Sequence, residues 1–376
     1  MLSTIGFLCL AYFVVLINPL GWHMIIHVMP FYVPFLLKNI SKINFINPRP
    51  VLYMFLFFIY TLISAFFISN GTGTYDKLLR YFYELLLMAI FFNIRISTGA
   101  IRLLIKFYTF SCVAVVIKML VQRVVLPEDE TRYTIYNFIK MMDPNFLTGL
   151  FVFPSIVLFY RIIHNVRRKV DLPIFVLLTG AILATGSRGG LVSVVIGCGI
   201  LLWKDAGIKT KLIFSAVFLL LISLLSYSSI NNINRFTSEG LNDGSNALRF
   251  HLWSVSWKIF MTDPIFGRGA NSMINLGLHY GARINIMVHN SFLEILTDYG
   301  IIGFLLWFFA FWNILKKAIK IKNSLIISIL LSTFFCAFFI SAQDSAFWWQ
   351  NIILCNAMLY CINNEVTNYR YNFSFK

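Results

Sequence analysis

The chain has 376 residues, of which 59% are hydrophobic, 17% aromatic and only 12% charged, whereas a soluble domain carries about 25% charged residues. That composition excludes a soluble enzyme, a disordered chain and a disulfide scaffold, and leaves a polytopic membrane protein. The formal net charge of +16 then reads first as Lys and Arg retained in cytoplasmic loops, and no nucleic-acid partner is expected.

A helical crossing takes roughly 20 apolar residues. Taken in chain order, the apolar stretches predict spans near 5–20, 24–37, 51–69, 78–94, 103–125 and 146–163, then 172–185, 190–203 and 212–229, and finally 300–315, 325–341 and 348–362. The expected fold is all-α: a polytopic integral membrane protein of about 12 transmembrane helices. It forms a single membrane domain over 1–376. Residues 1–229 hold the first nine helices, 230–289 a large outward loop, and 290–376 the last three helices and a cytoplasmic tail. The first stretch lacks a basic leader and a small-residue cleavage site, so it is expected to be retained.

Loops carrying Lys38, Lys42 and Arg49, then Arg95 and Arg102, then Arg161, Arg167, Arg168 and Lys169 alternate with the others. Lys204, Lys209 and Lys211, and later Lys316, Lys317, Lys320 and Lys322, continue the series in register with twelve spans. These loops and both termini are assigned to the cytoplasm. The acidic turn Glu128-Asp129-Glu130 and the loop 230–289 then face outward. The six cysteines lie in or beside apolar stretches without a CxxC pair, as small buried hydrophobes. His23, His27, His164 and His251 are scattered without ligand spacing, and no Walker A pattern is present.

Within the long loop, Asn242-Asp243-Gly244-Ser245 reads as a turn and helix N-cap. Leu248, Leu252, Val255 and Ile259 recur at helical spacing, widened by Trp253, Trp257 and Phe260, until Asp263-Pro264 ends the run. Such an amphipathic helix lies at a water–lipid boundary or caps the bundle.

Several basic residues run against the topological trend: Lys77, Arg80, Lys118, Arg123, Arg188, Arg235, Arg249, Lys258, Arg268 and Arg283. Lys118 and Arg123 fit snorkelling to the interface, and Arg235 and Lys258 fit plain solvation. Arg188 lies in Gly186-Ser187-Arg188-Gly189-Gly190, a turn too short for a free surface loop, whose glycines let backbone or ligand approach closely. A lipid-linked polyanion accounts for the outward arginines, because guanidinium binds phosphate bidentately. The spans hold few ionisable residues near mid-membrane, which argues against an ion-coupled carrier.

Ser291 and Glu294 in Val288-His289-Asn290-Ser291-Phe292-Leu293-Glu294 have capping-box spacing, with Asn290 or Ser291 as cap. His289 falls just before this helix start. An imidazole beside an anion-binding helix N-terminus suits a general base near neutral pH.

His289-Asn290, nine residues, Gly300, two residues and Gly303 form a pattern that resembles the O-antigen ligase and O-antigen polymerase superfamily. Thr185-Gly186-Ser187-Arg188-Gly189-Gly190 resembles that superfamily's short T-x-S-R-G turn. Arg249, Trp253, Pro264, Gly267 and Gly269 resemble its large-loop pattern, and Asp143-Pro144-Asn145 resembles a tripeptide of its polymerase-like members. The resemblance implies a glycosyltransferase of the bacterial inner membrane, with its active site facing the periplasm. The donor is a glycan on undecaprenyl diphosphate, and no nucleotide sugar, metal or other cofactor is implied. By position, Arg188 and Arg249 hold the diphosphate. His289 activates the acceptor hydroxyl or assists the leaving group. Arg268, Arg283, Asp143, Asn290, Lys118 and Arg80 are further substrate-binding candidates. Glu294 and Asp298 lie on one helix face near the site with no base role assigned. The polymerase-like blocks favour an O-antigen polymerase extending a lipid-linked repeat unit. A ligase moving the finished glycan onto lipid A core is the alternative, and a flippase for the same oligosaccharide is a non-enzyme alternative. The partners implied are the lipid-linked oligosaccharide, membrane lipid, a chain-length regulator and a flippase.

Overall fold

The computed structural model describes residues 48–68, 71, 73–92, 98–125, 134, 143–166, 168–212, 214, 244–339 and 346–366. The expected spans 5–20 and 24–37, nearly all of 212–229, the acidic turn at Glu128 and the Asn242-Asp243 turn lie outside the described residues.

Among the described residues every regular element is helical. In chain order these are α1 (Pro48–Phe67), α2 (Thr74–Phe91), α3 (Thr98–Val125), α4 (Pro144–Ile163), α5 (Arg168–Ala184) and α6 (Arg188–Asp205). They continue with α7 (Gly244–Thr262), the short α8 (Ser272–Leu276), α9 (Ser291–Ile321), α10 (Ser324–Ala337) and α11 (Ala346–Val366). Four of them, Pro48–Phe67, Thr98–Val124, Pro144–Ile163 and Ser291–Ile321, are long and apolar enough to cross a membrane.

Helix α4 is apolar all round and is buried along almost its whole length, as a helix with no solvated face must be. It packs against α3, α5, α6, α10 and α11. Its start is well specified. Asp143 is the N-cap and accepts from the backbone N–H groups of Asn145 and Phe146, and Pro144 occupies the first turn, where its missing N–H is harmless.

The bundle has two chemically distinct ends. At one, Arg161 near the C-terminus of α4 pairs with Asp171 at the start of α5, Nε to Oδ2, at 2.9 Å. Ser324 at the start of α10 donates to Asp205 at the end of α6. Arg161, which falls at the end of the expected span 146–163 and was also counted in the basic loop series, is a buried helix-end partner. Lys204, Lys316, Lys317 and Lys320 occupy helix ends on this side.

The amphipathic segment of the long loop is helical, as its periodicity predicts, and stops at the expected Asp263. Leu252, Val255 and Ile259 are buried against Met273, Ala282 and Val288 in a small second core, apart from the main one. Each such side chain contributes about 1.5–3 kcal/mol on burial. Ser256 on the neighbouring flank lies 2.6 Å, oxygen to oxygen, from Thr297 of α9. Thus α7 caps the bundle with its buried faces.

Candidate functional site

The turn between α5 and α6 is built from its own hydroxyls. Thr185 Oγ1 donates to the Ile182 carbonyl at 2.7 Å, and Ser187 N–H donates to Thr185 Oγ1 at 3.3 Å. Ser187 caps α6 by accepting from Gly190 N–H, and its hydroxyl donates to Asn145 Oδ1 at 3.0 Å. The Thr185 and Thr148 hydroxyls meet at 3.0 Å. Asp143-Pro144-Asn145 and Thr185-Gly186-Ser187-Arg188 are therefore one structural unit. Arg188, half buried, is the first residue of α6, where the helix's free N–H groups and dipole favour an anion.

The glycines after Arg188 answer to protein neighbours. A Cβ on Gly190 would stand 1.7 Å from Thr148 Cγ2, and one on Gly189 would stand 2.4 Å from the Phe339 ring. Thr148 of α4 and Phe339 just after α10 are thus neighbours that require small residues here.

Those contacts lead to His289. Phe338, beside Phe339, packs its ring 4.4 Å from that of Phe292 in the first turn of α9. The cap of α9 is Asn290, whose Oδ1 accepts from the N–H groups of Phe292 and Leu293, both at 3.1 Å. His289 immediately precedes it in a left-handed backbone conformation with φ 53°. An L side chain rarely adopts that conformation, and such strain concentrates at functional positions. Val288 is buried in the second core, and its carbonyl accepts from Trp253 Nε1 at 3.2 Å. Arg249 lies one turn before Trp253 on the same flank of α7 and is half buried. Contacts thus run from the Arg188 turn through Phe339 and Phe338 to the first turn of α9, and from Trp253 of α7 to Val288 beside His289, while the lysines lie at the far ends of α6 and α9.

Glu294, the acid of the expected capping-box spacing, also reaches a cation on another helix. Its carboxylate meets Lys77 Nζ at 2.6 Å, and the same ammonium donates to Asp298 Oδ2 at 2.5 Å. All three side chains are buried, Lys77 at 2% and Asp298 at 1% exposure. Asp298 also accepts from Asn271 N–H, Ser272 N–H and the Ser272 hydroxyl at 3.0, 3.0 and 2.6 Å. One lysine on α2 therefore clamps the first two turns of α9, directly behind His289. Sequence reasoning did not assign this role. The available signal was a pair of acids one turn apart, which repel unless a cation lies between them.

The two spaced glycine motifs also meet. Helix α9 breaks at Gly300, with φ 63° and ψ −168°. The freed N–H groups of Ile301 and Ile302 donate to the carbonyls of Pro264 and Ile265 at 2.9 and 3.4 Å. In return the N–H groups of Arg268 and Gly269 donate to the carbonyls of Thr297 and Asp298 at 2.9 and 2.8 Å. A Cβ on Gly300 would come within 2.2 Å of the Ile265 oxygen, and one on Gly267 within 2.5 Å of the Asp298 oxygen. The segment 264–269 is thus laced into the helix break, and tyrosine Tyr60 of α1 secures it by donating to the Phe266 carbonyl at 2.8 Å. We expect Gly300→Ala to cost at least about 1–3 kcal/mol from backbone strain alone. A lowered thermal unfolding midpoint of the purified chain checks this, and an unchanged midpoint would contradict it.

The remaining candidates fall outside this cluster or serve locally. Asp143 is engaged in its own helix cap. Asn290 is the cap of α9, so its side chain supports His289 from below. Arg268 and Arg283 are exposed on the loop segments beyond α7. Arg80 follows Lys77 by one turn on α2, its Nη1 buried without a hydrogen-bond partner among the described residues. Lys118 is half buried in α3. Among the described residues no three His, Cys, Asp or Glu side chains gather as metal ligands.

Two guanidinium groups and an imidazole near helix N-termini can bind a diphosphate and move a proton. No curated protein matches the chain in sequence comparison. The family model described as O-antigen ligase matches residues 173–308, which contain Arg188, Arg249, His289 and the break at Gly300. Residues 173–308 are thus similar to the O-antigen ligase family, in a chain with four described helices long and apolar enough to cross a membrane.

Proposed function

We propose that the chain is an O-antigen polymerase of the bacterial inner membrane. It transfers a growing glycan from undecaprenyl diphosphate onto a new undecaprenyl-diphosphate-linked repeat unit at the periplasmic face. The observation that supports the reading is that Arg188 starts α6 and His289 precedes α9, two helices whose far ends carry lysines, and that Trp253, one turn from Arg249, bonds the carbonyl next to His289. The positive-inside rule puts the lysines in the cytoplasm and the site in the periplasm. The twelve-span count and the periplasmic placement of 230–289 belong to the same proposal.

In the transfer, an acceptor hydroxyl oxygen attacks the anomeric carbon of the donor glycan. The bond from that carbon to the diphosphate oxygen breaks, and the diphosphate leaves with the electron pair. His289 takes the hydroxyl proton on a ring nitrogen. Arg188 and Arg249 offset the charge that develops on the departing diphosphate, as preorganised donors do most effectively at low dielectric. Asn290 fixes the helix start that aims His289, and the Lys77 clamp keeps that helix in place.

The ligase reading is supported by the description of the matching family. The two are separated by surface polysaccharide length on a gel, from a deletion strain expressing Ala variants of Arg188, Arg249 and His289. Loss of polymerase leaves a single repeat unit on the lipid core. Loss of ligase leaves none attached and lipid-linked polymer accumulating. Normal ladders from all three variants at normal protein level would overturn the site.

A further inference from the structure

Helix α7 carries three kinds of face, and only two are used by the protein. At about 3.6 residues per turn, Leu252, Val255 and Ile259 form the face buried in the second core. Arg249, Trp253 and Ser256 form the neighbouring flank, from which Ser256 meets Thr297 of α9 and Trp253 bonds the Val288 carbonyl. On the other side of that flank run Phe250, Trp257 and Met261, exposed at 64%, 50% and 58%. Beyond this stripe the helix turns polar, with Lys258 exposed and His251 held by its ring Nε2 3.0 Å from the Gly281 carbonyl oxygen.

The stripe does not end with the helix. Ile265 and Phe266 prolong it, both about half exposed. The Phe266 carbonyl is tied to Tyr60 of α1, a helix long and apolar enough to cross a membrane. The last turn of α1 presents Phe66 and Phe67 almost fully exposed. The apolar surface thus runs from a lipid-facing span onto the loop helix without a change of chemistry. Lys258, Arg268 and Arg283 are also exposed, a charge suited to anionic lipid headgroups.

We propose that the Phe250–Trp257–Met261 stripe is immersed in the membrane leaflet nearest the site, at the boundary of headgroups and acyl chains. The helix lies along that surface, as interfacial helices do, with its aromatic residues at headgroup depth. Because the stripe borders the Arg249 flank, a phosphate carried by a lipid in this leaflet meets Arg249 without leaving headgroup depth. A second copy of the chain or a soluble protein would not require continuity with a spanning helix. The proposal concerns the position of α7 and holds whichever glycan transfer the site performs.

The test uses the full chain in vesicles of phosphatidylethanolamine and phosphatidylglycerol. A spin label is attached to Trp257→Cys or, on the polar side, to Lys258→Cys. The unsubstituted chain, treated in the same way, supplies the background from native cysteines. Collision with molecular oxygen, which concentrates in lipid, is compared with collision with a water-soluble nickel chelate. We expect oxygen to dominate at position 257 and the chelate to dominate at position 258. Dominance of the chelate at 257 would place the stripe in water and overturn the proposal. Shielding of 257 from both reagents would place it against protein and overturn it equally. A variant that fails to fold is recognised by its gel-filtration profile, and Phe250→Cys or Met261→Cys on the same stripe then gives the same comparison.

Discussion

Replacing Lys77 by Met should cost about 3–5 kcal/mol, the penalty for removing one partner from a buried ion pair. The ammonium is the counterion to two buried carboxylates, Glu294 and Asp298, one turn apart on α9. Asp298 retains three donors from Asn271 and Ser272 after the substitution. Glu294 loses its ion-pair partner and stays next to a like charge. The first turns of α9 are then no longer held to α2, and the His289 cap is freed with them. The measurement is the thermal unfolding midpoint of the purified chain. The exposed Lys258→Met serves as control, where a change within about 0.5 kcal/mol is expected. Combining Lys77→Met with Glu294→Gln and Asp298→Asn should recover much of the loss, because the charges are then removed together. A single Lys77→Met variant as stable as the native chain would refute the clamp.

The sequence was informative wherever a local pattern dictates the structure. The spacing of Leu252, Val255 and Ile259 predicted both the helix and its buried face. Asp263-Pro264 marked its end, and Asn290 was one of two caps proposed for α9. The T-x-S-R-G turn was recognised, and its glycines were read as room for close approach of backbone or ligand. Their neighbours are Thr148 and Phe339, at large sequence separation, so the packing reason was invisible locally. The ion pair of Glu294 was hidden for the same cause. Its spacing from Ser291 is that of a capping box, whereas its partner Lys77 comes from α2, at large sequence separation. The break at Gly300 was legible only as part of the glycine spacing after His289-Asn290 and not as a lacing point, since its partners come from Pro264 and Ile265. Arg161 shows the converse limit. Its charge counted it in the basic loop series although it falls at the end of the expected span 146–163, and pairing with Asp171 lets the helix end carry it.

The second large effect concerns His289. Removing a general base lowers a rate by about 10²–10⁴-fold, and His289→Ala should do so without disturbing the bundle. Asn290 still caps α9, the Lys77 clamp is intact, and the Trp253 bond goes to the backbone of Val288. His tolerates the φ of 53° better than Ala does. The unfolding midpoint is therefore measured beside the rate, and the loss of rate should exceed any loss of stability. Arg188→Ala and Arg249→Ala should also reduce transfer, because in the proposed reading they bind the diphosphate.

The central claim is that these three residues form one site for transfer from a lipid diphosphate. It is tested most directly with the purified chain in vesicles, supplied with a polyprenyl-diphosphate-linked repeat unit, by following release of polyprenyl diphosphate and growth of the glycan. The account predicts both products from the native chain, and their loss with His289→Ala in a chain that remains folded. Native-level transfer by folded His289→Ala would contradict it.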